Sequence, residues 1–250
     1  MGSFQELKNI QIIILGLCIS AATIFSTIIL SKGFMQMKKF SNEIITVTGS
    51  AEKNIVSDKI VWNSSFSRRS QAMTEAFDSL KADLKKVKDY LVSKGIKENE
   101  ITVSQVSTAV LYRKNEEGYD TNDIEGYLLT QGVEVSSFDV KKIDTVAREA
   151  TELIDQGVQF ISGVPEYFYT KLSQLKHEML AQATKDAKLR AENMASSTGN
   201  SIGFMRSARM GTFQITPINS YDVSWYGNND TSSYEKKVMA VVHAAFAIKE

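Results

Sequence analysis

A sheet-bearing domain with three helices, behind one N-terminal membrane span, is the architecture this sequence predicts, and three patterns predict it. Residues 9–31 carry no charged side chain. Segments dense in β-branched residues alternate with segments of helical period, and Gly or polar clusters punctuate them. The predicted order after the span is β-β-α-β-β-α-β-α-β-β.

The run IQIIILGLCISAATIFSTIIL (10–30), at about 1.5 Å of rise per residue, spans a hydrocarbon core of about 30 Å. It reads as a transmembrane helix whose expected lipid-facing anchor comprises Ile12, Ile13, Ile14, Leu15, Leu17, Ile19, Ile24, Phe25, Ile28, Ile29 and Leu30. A cleaved signal peptide is the competing reading. The apolar run is longer than such a peptide needs, and no small-x-small cleavage site follows it. Leu17 stands before Cys18 where a lipoprotein box carries a small residue. The expected division is a tail and anchor over 1–31, a juxtamembrane linker over 32–43 and a folded domain over 44–250.

Cys18 is the only cysteine, so an internal disulfide and a Cys-based zinc site are excluded. The net charge is zero, with a net of +3 on residues 1–40 and −3 on the rest. That balance offers no basic face for nucleic acid. Lys32, Lys38 and Lys39 follow the span and only Lys8 precedes it, which by the positive-inside rule favours a cytoplasmic domain.

EIITVTGSA (43–51) and DKIVWNSSFSRR (58–69) read as the first two strands. Gly49 marks a bulge or turn, and Ile60, Trp62, Ser64 and Phe66 share one face. Met73, Phe77, Leu80, Leu84, Val87 and Leu91 then recur at helical steps, and Gly95 caps that helix. Strands over 101–113 and 125–138 flank a polar hairpin tip, KNEEGYDTNDI. The second helix, 139–157, starts at Asp139 and buries Val140, Ile143, Val146, Ala147, Ala150 and Ile154. A strand over 158–170 is interrupted at Gly163 and Pro165.

The third helix, 171–197, carries Ala183, Ala187, Ala191 and Ala195, a face with almost no side-chain height, expected to lie on its own sheet. Strands over 200–216 and 237–249 close the chain. The last is apolar on both pleat faces and so is expected to be covered on both.

Chemistry is sparse. The sequence has no P-loop, no dinucleotide-binding glycine turn, no G-x-S-x-G and no H-E-x-x-H. His177 and His243 have no metal-ligand spacing; the first reads as solvated, the second as a satisfied buried residue. Glu116, Glu117, Asp120 and Asp123 lack the spacing of a calcium loop and read as a solvated tip. Arg68 and Arg69 read as edge guards. No catalytic, cofactor-binding or metal site is expected, and no cofactor. The interaction candidate is the loop PINSYDVSWYGNNDTSSYE (217–235), with Tyr221, Trp225, Tyr226 and Tyr234. Such rings dominate interfaces; folding back over the sheet is the equal alternative.

ITVTGSAEKNIVSDKI (45–60), GIKENEITV (95–103), GYLLTQGVEVSSFDVKKID (126–144), LIDQGVQFISGV (153–164) and LAQATKDAKLRAENMASSTGNSIG (180–203) together resemble the SIMPL-domain family, the YggE-like bacterial envelope proteins. They run in family order; Ser57-Asp58 replaces a common Pro-Asp. The resemblance implies an α+β domain, mainly antiparallel sheet packed with three helices. It also implies an exported protein, some of whose kin form large ring-like or channel-like oligomers linked to oxidative-stress tolerance. It carries over no catalytic residues. It turns the orientation outward, against the lysines, toward periplasm or cell exterior.

Two readings follow. The first is a single-pass protein of the bacterial cytoplasmic membrane, held by the bilayer through residues 10–30, whose domain forms a homo-oligomer. The second is a monomeric tethered module that binds an envelope peptide or protein through the aromatic loop.

Overall fold

The computed structural model describes residues 2–220 and 224–249, with side chains from Ile14 onward except at 36 and 38–42. Helix α1 (Gly2–Asn42) contains, over Ile14–Met35, the one described stretch long and apolar enough to cross a membrane. Leu15, Leu17, Ile19, Phe25 and Leu30 are exposed along it. The helix runs on past residue 32 through Lys38 and Lys39, because Met, Gln and Lys are good helix formers and outweigh Gly33.

The chain continues as β1 (Ile44–Val56), β2 (Lys59–Ser70), α2 (Met73–Ser93), β3 (Ile101–Val103), β4 (Ser107–Lys114) and β5 (Asp120–Ser137). After these come α3 (Val140–Glu149), β6 (Gln159–Ser162), β7 (Glu166–Phe168), α4 (Leu172–Ser196), β8 (Ser201–Met210), β9 (Gln214–Pro217) and β10 (Glu235–Lys249). This is the α+β order expected, with three of the predicted strands, 101–113, 158–170 and 200–216, each divided in two. Two compact units result, one of residues 1–50, 182–211 and 241–250, the other of 51–181 and 212–240.

The larger unit is built on an antiparallel sheet ordered β3-β5-β2-β6, in which β4 also pairs β5 and β7 also pairs β2. Pleat alternation puts Ile60, Trp62 and Phe66 on one face of β2, where all three are fully buried with Leu80, Leu91, Ile143 and Leu153. Trp62 satisfies its buried N–H by donating to Ser162 Oγ at 3.1 Å, and that hydroxyl donates to Ala147 O at 2.9 Å. Gly163-Val164-Pro165 separates β6 from β7 at the sheet edge, where a missing donor costs least.

Three expectations are corrected here. Helix α2 turns Ala76, Leu80, Asp83, Val87, Tyr90 and Leu91 inward, so Met73 and Phe77 lie exposed at 45% and 46%. The cause is Arg68. It stands on central β2, not on an edge, and forks to Asp83, with Nη2 2.8 Å from Oδ1, while also donating to Gly157 O at 2.6 Å. A buried carboxylate needs such a partner, and the helix rotates to supply it. The third correction is Ile154, which is exposed while Leu153 is buried, because α3 ends at Glu149 and a 3₁₀ turn (Ala150–Leu153) advances the phase.

In the smaller unit β8 pairs the end of β10, with Ala244 opposite Ala208 and Val242 opposite Met210. Ala183, Ala187, Ala191 and Ala195 of α4 are all buried. Gly49 is buried inside β1 and is not a turn; a Cβ there would lie 2.2 Å from Ala183 O and 2.4 Å from Ala187 N. Helix and strand backbones therefore touch, as the alanine face allows. Ser50 N–H donates to Asp186 Oδ2 at 2.8 Å beside that contact. The outer face of β10 is covered only in part: Ala245 and Ala247 are buried, Val241 is half-buried and His243 is exposed, its Nδ1 sharing a 2.9 Å hydrogen bond with Thr48 Oγ1.

Two substitutions probe these contacts. Gly49→Ala meets backbone atoms that cannot rotate away, so a loss of about 3 kcal/mol is expected, the upper end of the overpacking range; an unchanged urea midpoint for the full chain in detergent would show that α4 can retreat. Arg68→Ala leaves the Asp83 carboxylate buried alone and should cost about 3 kcal/mol in the same measurement. Joining Arg68→Met to Asp83→Leu should recover most of that loss, and failure to do so would point to a role beyond pairing.

Candidate functional site

The loop between β9 and β10 is held by buried polar side chains. Gln214 and Thr216 on β9 are buried, and Gln214 uses both ends of its amide on one residue: Nε2 donates to Ser224 O at 3.2 Å, and Oε1 accepts from Ser224 N at 3.1 Å. Ile215 N donates to Asn228 O at 2.8 Å and Ile215 O accepts from Asp230 N at 3.0 Å, so the returning chain runs as a parallel bridge beside β9. Between these ties Ser224-Trp225-Tyr226-Gly227 forms a tight turn, closed by Gly227 N donating to Ser224 O at 3.2 Å. Gly227 has φ +87°, and a Cβ on it would meet Phe213 O at 2.9 Å, so glycine is required there twice over.

Trp225 and Tyr226 occupy the two central positions and are 95% and 100% exposed. A turn pinned on both sides thus displays two large rings to solvent. Tyr234 goes the other way: it packs against the core with its ring 6.1 Å from that of Tyr167. Tyr221 lies outside the described residues. The loop's four aromatic residues therefore do not form one described cluster; Trp225 and Tyr226 stand together and Tyr234 is part of the scaffold.

Lys236 anchors the loop's return. It is 2% exposed and donates to Tyr167 O at 2.9 Å and to Asp230 O. Burial lowers its pKa, against the attraction of Asp230. Burial would raise the Asp230 carboxyl, but hydrogen bonds from Ser232 and Ser233 and the charge of Lys236 outweigh it and hold the carboxyl low. Tyr167 is pushed up to about 12, by burial first and then by its hydrogen bond to Asp144. Enclosed by its own partners, Lys236 serves as a brace.

Among the described residues no group of three or more His, Cys, Asp or Glu side chains is placed to hold a metal ion. His177 is exposed on α4, and exposed His243 corrects the expectation of a buried histidine; its β10 position faces outward, where cover is incomplete.

Residues 45–246 match the SIMPL family, described as "Protein of unknown function (DUF541)". The chain belongs to the SIMPL family. The match includes the aromatic turn and leaves α1 outside it. No curated protein matches the chain. Solved structures align weakly. The de novo designed protein Foldit4 is 15% identical, with TM-score 0.22 over 42% of this chain and 93% of that one. An amidase of the hydantoinase/carbamoylase family from Burkholderia phymatum is 12% identical, with TM-score 0.27 over 54% of this chain and 34% of that one. The regulatory subunit of aspartate kinase from Thermus thermophilus is 14% identical, with TM-score 0.20 over 79% of this chain and 88% of that one. At these scores none bears on the function of the SIMPL domain.

Sequence reasoning singled out the rings and missed what holds them. Strand parity was the available signal for Lys236, which shares a pleat face with buried Val238 and Ala240. Gln214→Leu in the SIMPL domain should leave the Ser224 N–H without its partner and the Ser224 carbonyl with the Gly227 amide alone, at a cost of about 1–3 kcal/mol, and speed hydrogen exchange at the Ser224 amide. Unchanged exchange there would mean that the ties at Ile215 suffice.

Proposed function

We propose that this SIMPL protein is a non-enzymatic, single-pass membrane protein that assembles with copies of itself into a large ring-like or channel-like homo-oligomer. Its domain lies outside the cytoplasm and serves envelope integrity or tolerance of oxidative stress. The observation that carries the reading is the turn at 224–227, where Trp225 and Tyr226 are displayed at 95% and 100% exposure on a backbone held by buried Gln214. Fully exposed Trp beside Tyr costs free energy in water unless a partner covers it, and a fixed turn spares the ordering cost of binding. The apolar, exposed surface of α1 over Ile14–Met35 supports anchoring in the bilayer. The incompletely covered outer face of β10, with Val241 half-buried, offers apolar surface for a neighbour.

Particle mass of the full-length protein in mild detergent tests the reading. A discrete multiple of the 27.8 kDa chain is expected, falling to monomer with Trp225→Ala and Tyr226→Ala together, while the unfolding midpoint stays within about 0.5 kcal/mol because neither ring packs in its own fold. A monomeric wild type would overturn self-assembly and favour the tethered binding module. A double variant that keeps full mass would remove the turn from the interface.

A further inference from the structure

The β4–β5 hairpin reaches past the sheet that supports it. β2 ends at Ser70 opposite Tyr127, so residues 112–125 continue as a two-stranded ribbon with no third strand beside it among the described residues. The ribbon is open on both faces, with Tyr112, Tyr119 and Ile124 exposed at 42%, 69% and 52%. Its tip is ordered: Asn115 Oδ1 accepts from Glu117 N at 3.1 Å and Tyr119 N at 2.9 Å, and Gly118 N donates to Asn115 O at 3.0 Å. A two-stranded ribbon is marginal in water unless its apolar side chains rest on something. Around those side chains stand Glu116, Glu117, Asp120 and Asp123, all exposed and without an ion pair among the described residues. At the ribbon's base Glu125 is already engaged, 2.7 Å from Arg69.

The complementary surface lies on α2 of the same unit. A groove of about 520 Å³ runs between the C-terminal half of α2 and β3, floored by Leu84, Val92 and Ile101. Lys81, Lys85 and Lys88 rim it on successive turns, against Asp89 and Glu98. None of the three lysines forms an ion pair among the described residues, whereas Lys86, on the next position of the helix, is turned to Gln156 O. Among the described residues β3 pairs β5 alone, so the groove's strand side is an open sheet edge.

We infer that the acidic β4–β5 ribbon of one copy docks in the Lys81–Lys85–Lys88 groove of the next. Tyr119 and the apolar side chains of the ribbon cover Leu84, Val92 and Ile101, and the tip carboxylates pair with the lysine row. Opposite charge sets the register and speeds encounter, and apolar cover supplies the affinity. Because arm and groove are different surfaces, the contact is head-to-tail. It deepens the self-assembly reading above and rests on it.

Charge reversal in the full-length protein tests the contact. Lys81→Glu, Lys85→Glu and Lys88→Glu together give one variant; Glu116→Lys, Glu117→Lys, Asp120→Lys and Asp123→Lys give the other. Each alone is expected to run as monomer in mild detergent. Mixed in equal amounts, they should reassemble into multimers in which the two variants alternate, since each arm then meets a groove of opposite sign only in the other variant. A cross-link supplies the second measurement: Lys85→Cys with Glu117→Cys, in a Cys18→Ser background, should give a ladder of multimers with a bismaleimide. Retention of wild-type mass by either reversed variant, failure of the mixture to reassemble, or absence of the ladder would overturn the contact and leave self-assembly standing. A wild type that is itself monomeric would overturn both.

Discussion

A methyl group on residue 49 would lie 2.2 Å from the carbonyl oxygen of Ala183, inside any van der Waals distance. The smaller unit therefore depends on a missing side chain. Helix α4 can lie directly on β1 only because Gly49 has no Cβ and because Ala183 and Ala187 present one carbon each. Contact this close raises dispersion contacts and leaves no void, so the stripe of four alanines is packed without bulk. It also explains the charge elsewhere on the helix: Asp186, next to buried Ala187, turns its carboxylate to the Ser50 amide and to Arg190 Nε, both at 2.8 Å. The alanine period is thus the imprint of a helix against a strand within one chain.

The larger unit solves a different problem, since its core carries a charge. Asp83 is 1% exposed in a helix face otherwise made of Ala76, Leu80, Val87, Tyr90 and Leu91. The fork from Arg68 and the further bond from Arg68 to Gly157 O join β2, α2 and the end of the α3 segment through one guanidinium. Burying such a pair gains little over an apolar pair of the same size, but it penalises any register or rotation that parts the two. Met73 and Phe77 are left outside as a consequence. The same economy appears in the β9–β10 loop, where Gln214 and Lys236 occupy core-facing positions and hold the backbone that displays Trp225 and Tyr226.

The outline was legible because strand and helix periods are local properties of sequence. β2 announced its inner face through Ile60, Trp62 and Phe66, and the capping glycines 95 and 199 stand where α2 and α4 end, at φ +81° and +79°. The family phrases, spread from 45 to 203, placed the domain as a whole. What escaped was set by tertiary partners. Period alone ranks Phe77 above Asp83 for burial, and only the position of Arg68 on a central strand reverses that order. Ile154 and Leu153 exchange places because a 3₁₀ turn spends fewer residues per turn than the α-helix before it. His243 reads as core because its strand is apolar, yet its exposure depends on what covers β10 from outside. In the aromatic loop the residue types were informative and the direction of each ring was not: Tyr234 and Trp225 look alike in sequence, and hydrogen bonds from Gln214 and Lys236 decide which is scaffold and which is display.

Anchoring constrains what a head-to-tail contact can build. Copies anchored through α1 as proposed would all enter the bilayer with the same polarity, so any symmetry relating them would keep the membrane normal fixed. Isologous pairs about an axis in the membrane plane are thereby excluded, and rotation about the normal remains. An arm-to-groove contact repeated under such a rotation closes into a ring when its angle divides a full turn, and otherwise leaves an open array with one unfilled arm and one unfilled groove. The mixed charge-reversed copies add a parity condition, because alternation closes only in rings of even number. A ring of odd number in the wild type would force the mixture to a neighbouring even number or leave it open. The subunit count of the mixed assembly set against that of the wild type therefore reports closure as well as contact.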